Sequence, residues 1–110
     1  MSMPLIDIAS VIRSKNAGPG ELTFDVIFKS AQWYQRVLAS GEFTSDLFAA
    51  LYGVSPEDVV SVIAFEPAHA IKATIRRRVP SGAVTDTDIY GAQQHVPLMQ
   101  LVLHSVENEE

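Results

Sequence analysis

The densest chemistry in this sequence lies in Asp86-Thr87-Asp88-Ile89-Tyr90-Gly91-Ala92-Gln93-Gln94-His95, which gathers two carboxylates, a phenol, two carboxamides and an imidazole. Two readings of it stand side by side. In the first, Thr85-Asp86-Thr87-Asp88 is a helix start: short side chains accept from the amides of the first turn, and an acid faces the positive end of the helix dipole. A short helix then runs over about residues 88–94 and stops ahead of Pro97, because the residue before a proline avoids the helical region. Asp86 and Asp88 are then caps, and Tyr90, Gln93 and Gln94 are helix surface. In the second, His95 works with Asp88 or Asp86 as an acid and base pair beside a substrate that Tyr90, Gln93 and Gln94 position. The same carboxylates with His95 have the chemistry of divalent-cation ligands, but an Asp-x-Asp pair is a weak signal, so neither a metal nor a cofactor is assigned.

A second polar stretch, Arg13-Ser14-Lys15-Asn16-Ala17-Gly18-Pro19-Gly20, is expected to be a loop whose Gly-Pro-Gly turns sharply. Arg13, Lys15 and Asn16 supply the donors that hold a carboxylate or phosphate, which makes them ligand-binding candidates against the plainer alternative of a solvated loop. The run is not a P-loop, since its lysine precedes the glycines.

The elements that position these groups follow from periodicity. Residues 5–12 are rich in Ile, Val and Leu and predict a first strand. Leu22, Phe24, Val26 and Phe28 alternate with Thr23, Asp25 and Ile27, which predicts a second strand packed on one side. Ser30 is placed to cap a helix with Ala31, Tyr34, Val37 and Leu38 on its apolar stripe, and Gly41 suits the left-handed position that ends it. Trp33 sits beside the stripe, as partly buried packing and, where that face meets a partner, as an interface anchor. Thr44 caps a second helix that ends at Gly53, with Phe43 stapled to Phe48. Ser55-Pro56-Glu57-Asp58 predicts one helical turn, and the β-branched run that follows predicts a third strand through Phe65. Glu66-Pro67-Ala68-His69 is a turn, and Ile71, Ala73 and Ile75 point inward from a fourth strand. Arg76-Arg77-Arg78 alternates in direction while the strand lasts, so it predicts salt bridges and solubility rather than a phosphate site. Residues 98–106 are expected to form a fifth strand.

Setting the first strand aside, this order is α+β, a ferredoxin-like split βαβ two-layer sandwich with an added N-terminal strand. The chain is expected to be a single domain over residues 1–110, with an ordered core of about 5–104 and an acidic tail at 105–110. It contains no cysteine, which excludes a disulfide framework and thiolate chemistry. No basic leader and no stretch of about 20 apolar residues is present, so a cytoplasmic protein that does not span a membrane is expected. A net charge of −5 argues against nucleic acid as a partner. With 47% hydrophobic and only 19% charged residues, part of the surface is expected to be hidden in a homo-oligomer or against another chain, the alternative being a tightly built monomer with serines, threonines and glutamines outside.

The strings Arg13-Ser14-Lys15-Asn16-Ala17-Gly18-Pro19, Glu21-Leu22-Thr23-Phe24-Asp25, Ala70-Ile71-Lys72-Ala73-Thr74-Ile75 and Asp86-Thr87-Asp88-Ile89-Tyr90-Gly91-Ala92-Gln93-Gln94-His95 resemble a small family of domains of unknown function over about residues 5–104. Gly20 stands where that pattern has a bulky aromatic. The resemblance implies an accessory subunit or interaction domain that accompanies, as a neighbouring chain or a fused domain, a larger protein similar to the acyclic terpene utilisation protein AtuA, in breakdown of branched or terpenoid acids as carboxylates or acyl-CoA thioesters. It implies no catalytic assignment. The alternative from the residues themselves is a stand-alone homo-oligomeric lyase or isomerase using His95 with Asp86 or Asp88.

Overall fold

The computed structural model describes residues 2–18, 20–76 and 96–106. It is α+β, with two antiparallel sheets. In chain order the elements are β1 (Met3–Pro4), α1 (Leu5–Ile8), β2 (Ala9–Gly18), β3 (Glu21–Phe28), α2 (Ala31–Ser40), α3 (Ser45–Tyr52), β4 (Val59–Phe65), β5 (Ala70–Arg76), α4 (Val96–Met99) and β6 (Val102–Leu103). Single 3-10 turns at Pro56–Asp58 and Glu66–Ala68 precede and follow β4.

The main sheet has the order β2-β3-β5-β4 with every pairing antiparallel. Because β3 and β4 both run against β5, they are parallel to each other with one strand between them. The connection that joins them is α2 and α3, a split βαβ unit. Leu22, Phe24, Val26 and Phe28 are all buried, as the alternation of β3 predicts, and Ile71, Ala73 and Ile75 meet them from β5. Phe24, Phe48 and Tyr34 are the largest fully buried side chains. Phe24 lies 4.5 Å from Tyr52 and 6.1 Å from Phe48, ring centre to ring centre, so the aromatic groups of α3 cover the centre of β3. Each such ring stabilises the fold by roughly 1.5–3 kcal/mol through the apolar area it removes from water.

Both long helices start and stop as their sequences predict. Ser30 Oγ accepts from Trp33 N, and Thr44 Oγ1 accepts from Leu47 N. Gly41 (φ 69°) and Gly53 (φ 66°) close them in the left-handed conformation that side chains disfavour. The staple is present, with Phe43 edge-on to Phe48 at 5.9 Å. Leu38 departs from its expected place on the buried stripe, since it is 39% exposed while Tyr34 and Val37 carry the contact.

Three expectations are corrected. Residues 5–12 do not form one strand: Leu5–Ile8 makes a single helical turn after Pro4, burying Leu5 and Ile8 and exposing Ile6 and Asp7. Leu5 and Ile8 stand three apart, a helical spacing that outweighs the strand propensity of the residue types. The strand then runs from Ala9 to Gly18, so Arg13, Ser14, Lys15 and Asn16 belong to a strand rather than a loop. Finally, residues 98–106 are not a fifth strand of the main sheet. Val96–Met99 is a helical turn with Pro97 in it, and Val102–Leu103 pairs with Met3–Pro4 in a separate ribbon. Leu98, Leu103 and Val106 are buried with spacings of five and three, which no strand face produces. Glu42 fastens this segment, its Oε1 accepting from the backbone amides of His104 (2.7 Å) and Ser105.

Candidate functional site

Register decides which of the candidate residues share a surface. Across β2 and β3, Arg13 is opposite Asp25 and Lys15 is opposite Thr23, while Ser14 is opposite Phe24 and Asn16 opposite Leu22. Phe24 and Leu22 are core residues. Asn16 therefore belongs to the face turned toward the helices, and Arg13 and Lys15 to the other one. The three residues do not form one grip. Asp86, Asp88, Tyr90, Gln93, Gln94 and His95 lie outside the described residues.

Continuing the rows across β5 and β4 maps that other face. One row is Val11, Ile27, Ala70 and Phe65; the next is Arg13, Asp25, Lys72 and Ile63; the third is Lys15, Thr23, Thr74 and Ser61; and Glu21 faces Arg76 beyond it. Four of the eight Lys and Arg of the chain stand here, against Glu21 and Asp25 on the face and Asp58 at its rim. The corner formed by Ile63 (56% exposed) and Phe65 is apolar.

The centre of this face is an ion-pair network. Asp25 is 4% exposed, Arg13 Nε donates to its Oδ2 at 3.0 Å, and Lys72 Nζ lies 3.6 Å from its Oδ1. A buried carboxylate requires such compensation, and it draws two otherwise mobile cations down along the sheet. Thr23 and Thr74 place their hydroxyls 3.5 Å apart in the row beside it. Arg76 reaches toward Asp58, at 3.6 Å, which agrees with the salt-bridge role expected of it. The sequence pointed to Arg13 and Lys15 but not to Asp25, Lys72 or the threonine pair. The available signal was one carboxylate inside an apolar strand, Phe24-Asp25-Val26, whose burial demands a cation from a neighbouring strand.

Elsewhere the structure is less chemical. A shallow cleft of about 230 Å³ lies between Ile6, Ala9, Ser10, Ile12 and Met99, and another of about 120 Å³ beside Arg36, Ala39, Ser40 and Ser105. Both are smaller than the roughly 300–1,000 Å³ of ordinary ligand pockets. Trp33 is half-buried, with the Arg36 guanidinium 5.2 Å from its ring centre. Burial pushes the Tyr52 phenol well above its ordinary ionisation range, opposed by a hydrogen bond with the Leu98 backbone, which makes it a structural group of the helical layer. Among the described residues no cluster of three His, Asp or Glu side chains is arranged to hold a metal ion, and no helix is long and apolar enough to cross a membrane.

Residues 5–102 match the family model described as Domain of unknown function (DUF4387). The chain belongs to this family. The match covers the whole four-stranded sheet and all the described helices, so the amphipathic face described above is part of the family domain rather than an appendage. No curated protein and no solved structure matches the chain.

Proposed function

We propose that this DUF4387 domain is a small accessory subunit or interaction domain working beside a larger AtuA-like protein in the catabolism of branched or terpenoid carboxylic acids or their acyl-CoA thioesters. The observation that carries the reading is the sheet face on which Arg13, Lys15, Lys72, Ile63 and Phe65 stand exposed with no described element packed over them. A flat face of mixed cationic and apolar character suits contact with a second surface better than it suits enclosure of a substrate. The low charged share of the chain supports the same reading. The identity of the partner and the class of substrate come from the family resemblance of the strings in β2, β3, β5 and residues 86–95.

Within this reading, Arg13 and Lys15 hold the anionic end of a carboxylate or acyl-CoA where the two chains meet, and Asn16 supports the strand from its other side. The β3-α2-α3-β4 crossing with β5 between its strands supports a ferredoxin-like description, with β2 as the added N-terminal strand beside β3. Cytoplasmic residence and a role without nucleic acid accompany this proposal.

The test is turnover. The purified chain is assayed on branched carboxylic acids and acyl-CoA thioesters, alone and reconstituted with the larger AtuA-like chain. Activity is expected only from the pair, reduced by Lys15→Ala while the fold is retained. Turnover by the chain alone, abolished by His95→Ala, would replace this reading with the stand-alone lyase or isomerase built on His95 and Asp86 or Asp88.

A further inference from the structure

We infer that the exposed face of the four-stranded sheet is a docking surface for a protein surface of opposite character, with carboxylates set beside an apolar strip. The inference rests on the accessory-domain reading but not on the partner being AtuA-like.

Charge distribution is the first argument. In a chain of net charge −5, half of all Lys and Arg are gathered on one face, and two of the three lysines, Lys15 and Lys72, are among them. Such a face steers toward acidic surfaces and away from other copies of itself. Arg13, Lys15, Lys72 and Arg76 outnumber Glu21 and Asp25 on this face, so two copies placed face to face would bring together two surfaces of net positive charge, and a second copy is disfavoured as the occupant.

Preorganisation is the second. Asp25 is buried at the centre of the face and holds Arg13 by a 3.0 Å hydrogen bond and Lys72 at 3.6 Å. Cations already laid down along a surface lose less freedom when an acidic partner arrives.

The third is the contrast between the two outer strands. β2 carries Arg13 and Lys15, the kind of charge by which natural sheets blunt an edge. β4, Val-Val-Ser-Val-Ile-Ala-Phe, has no charge and no proline along its length, and on this face exposes Ile63 and Phe65 at 56% and 47%. Ile63 and Lys72 are direct neighbours across β4 and β5, so the apolar strip and the cations form one surface.

The experiment uses the full chain, tagged and isolated gently from its own cells, then treated with a carbodiimide that joins amines to carboxylates in direct contact. Cross-links from Lys15 and Lys72, but not from Lys29 beyond the end of β3, to Asp or Glu of a co-isolated chain in fixed ratio are expected. Lys15→Glu and Ile63→Glu, which leave the Asp25 network intact, should each reduce retention of that chain by about tenfold or more while the thermal transition stays in place. Equal retention by both variants would overturn the surface assignment and leave the accessory reading standing. Isolation with no second chain would overturn both. Cross-links only between copies of this chain, or recovery of nucleic acid on this face, would also overturn the assignment.

Discussion

Asp25 and its two cations give a prediction whose size follows from the geometry. Arg13 makes a charged hydrogen bond of 3.0 Å to a carboxylate that is 5% exposed, but its own side chain is 61% exposed, so part of the interaction is screened by water. A charged hydrogen bond contributes about 1.5–3 kcal/mol, and screening lowers the expected cost of Arg13→Ala to about 1–2 kcal/mol. Lys72 lies at 3.6 Å with its side chain 53% exposed, in the range where exposed ion pairs contribute roughly 0.2–1 kcal/mol. Among the described residues, each single variant leaves Asp25 one cation. The double variant leaves a buried carboxylate with neither, and removing the compensation of a buried charge costs about 3–5 kcal/mol. Arg13→Ala and Lys72→Ala are thus expected to be more than additive, by about 1 kcal/mol or more, in a urea-denaturation double-mutant cycle at neutral pH. Thermal transitions should follow, at about 4–8 °C per kcal/mol for a domain of this size. In 0.5 M salt the Lys72→Ala effect should fade while most of the double-variant loss persists, because only the exposed contact is screened. Strict additivity, or a double variant as stable as Arg13→Ala alone, would refute the claim that Asp25 is a buried charge held by this pair.

Other parts of the fold make separate predictions. Ser30→Ala and Thr44→Ala each remove a helix cap and should lower stability by about 1 kcal/mol, measured by chemical denaturation, with additive effects since they cap different helices. Tyr52 resists ionisation in the folded state, so the unfolded chain loses that proton first. Stability is therefore unaffected below about pH 10 and falls as pH rises above it, a slope that Tyr52→Phe should flatten in a pH series of melting curves. Glu42→Ala removes the acceptor for the amides of His104 and Ser105, and hydrogen exchange at those two amides should accelerate while β3 and β5 stay protected.

Elements with a single strong period were readable in advance. The alternation over β3 has one buried solution, and the caps at Ser30, Gly41, Thr44 and Gly53 mark helix ends by local chemistry alone. The misread segments are those whose structure is set by distant partners. The run Arg13-Ser14-Lys15-Asn16 is polar enough for a loop, yet it forms a strand because Asp25, Thr23 and their neighbours in β3 complete its rows. Leu5-Ile6-Asp7-Ile8 has strand-forming residue types, and only the burial of Leu5 and Ile8 against the core selects a helical turn. The C-terminal run is apolar, but its irregular path is set by pairing with Met3–Pro4, a contact that spans nearly the whole sequence. As for the site, Arg13 and Lys15 are legible by chemical type; their separation from Asn16 follows from alternation once the run is a strand, and their alliance with Lys72 depends on how β2, β3 and β5 pair, which no single segment carries.

The most direct test of the accessory-domain account is the native mass of the tagged chain isolated gently from its own cells. The account predicts a complex in which this 12.0 kDa chain accompanies a larger chain in fixed stoichiometry. A bare monomer, or a defined homo-oligomer that turns over substrate without any other chain, would contradict it.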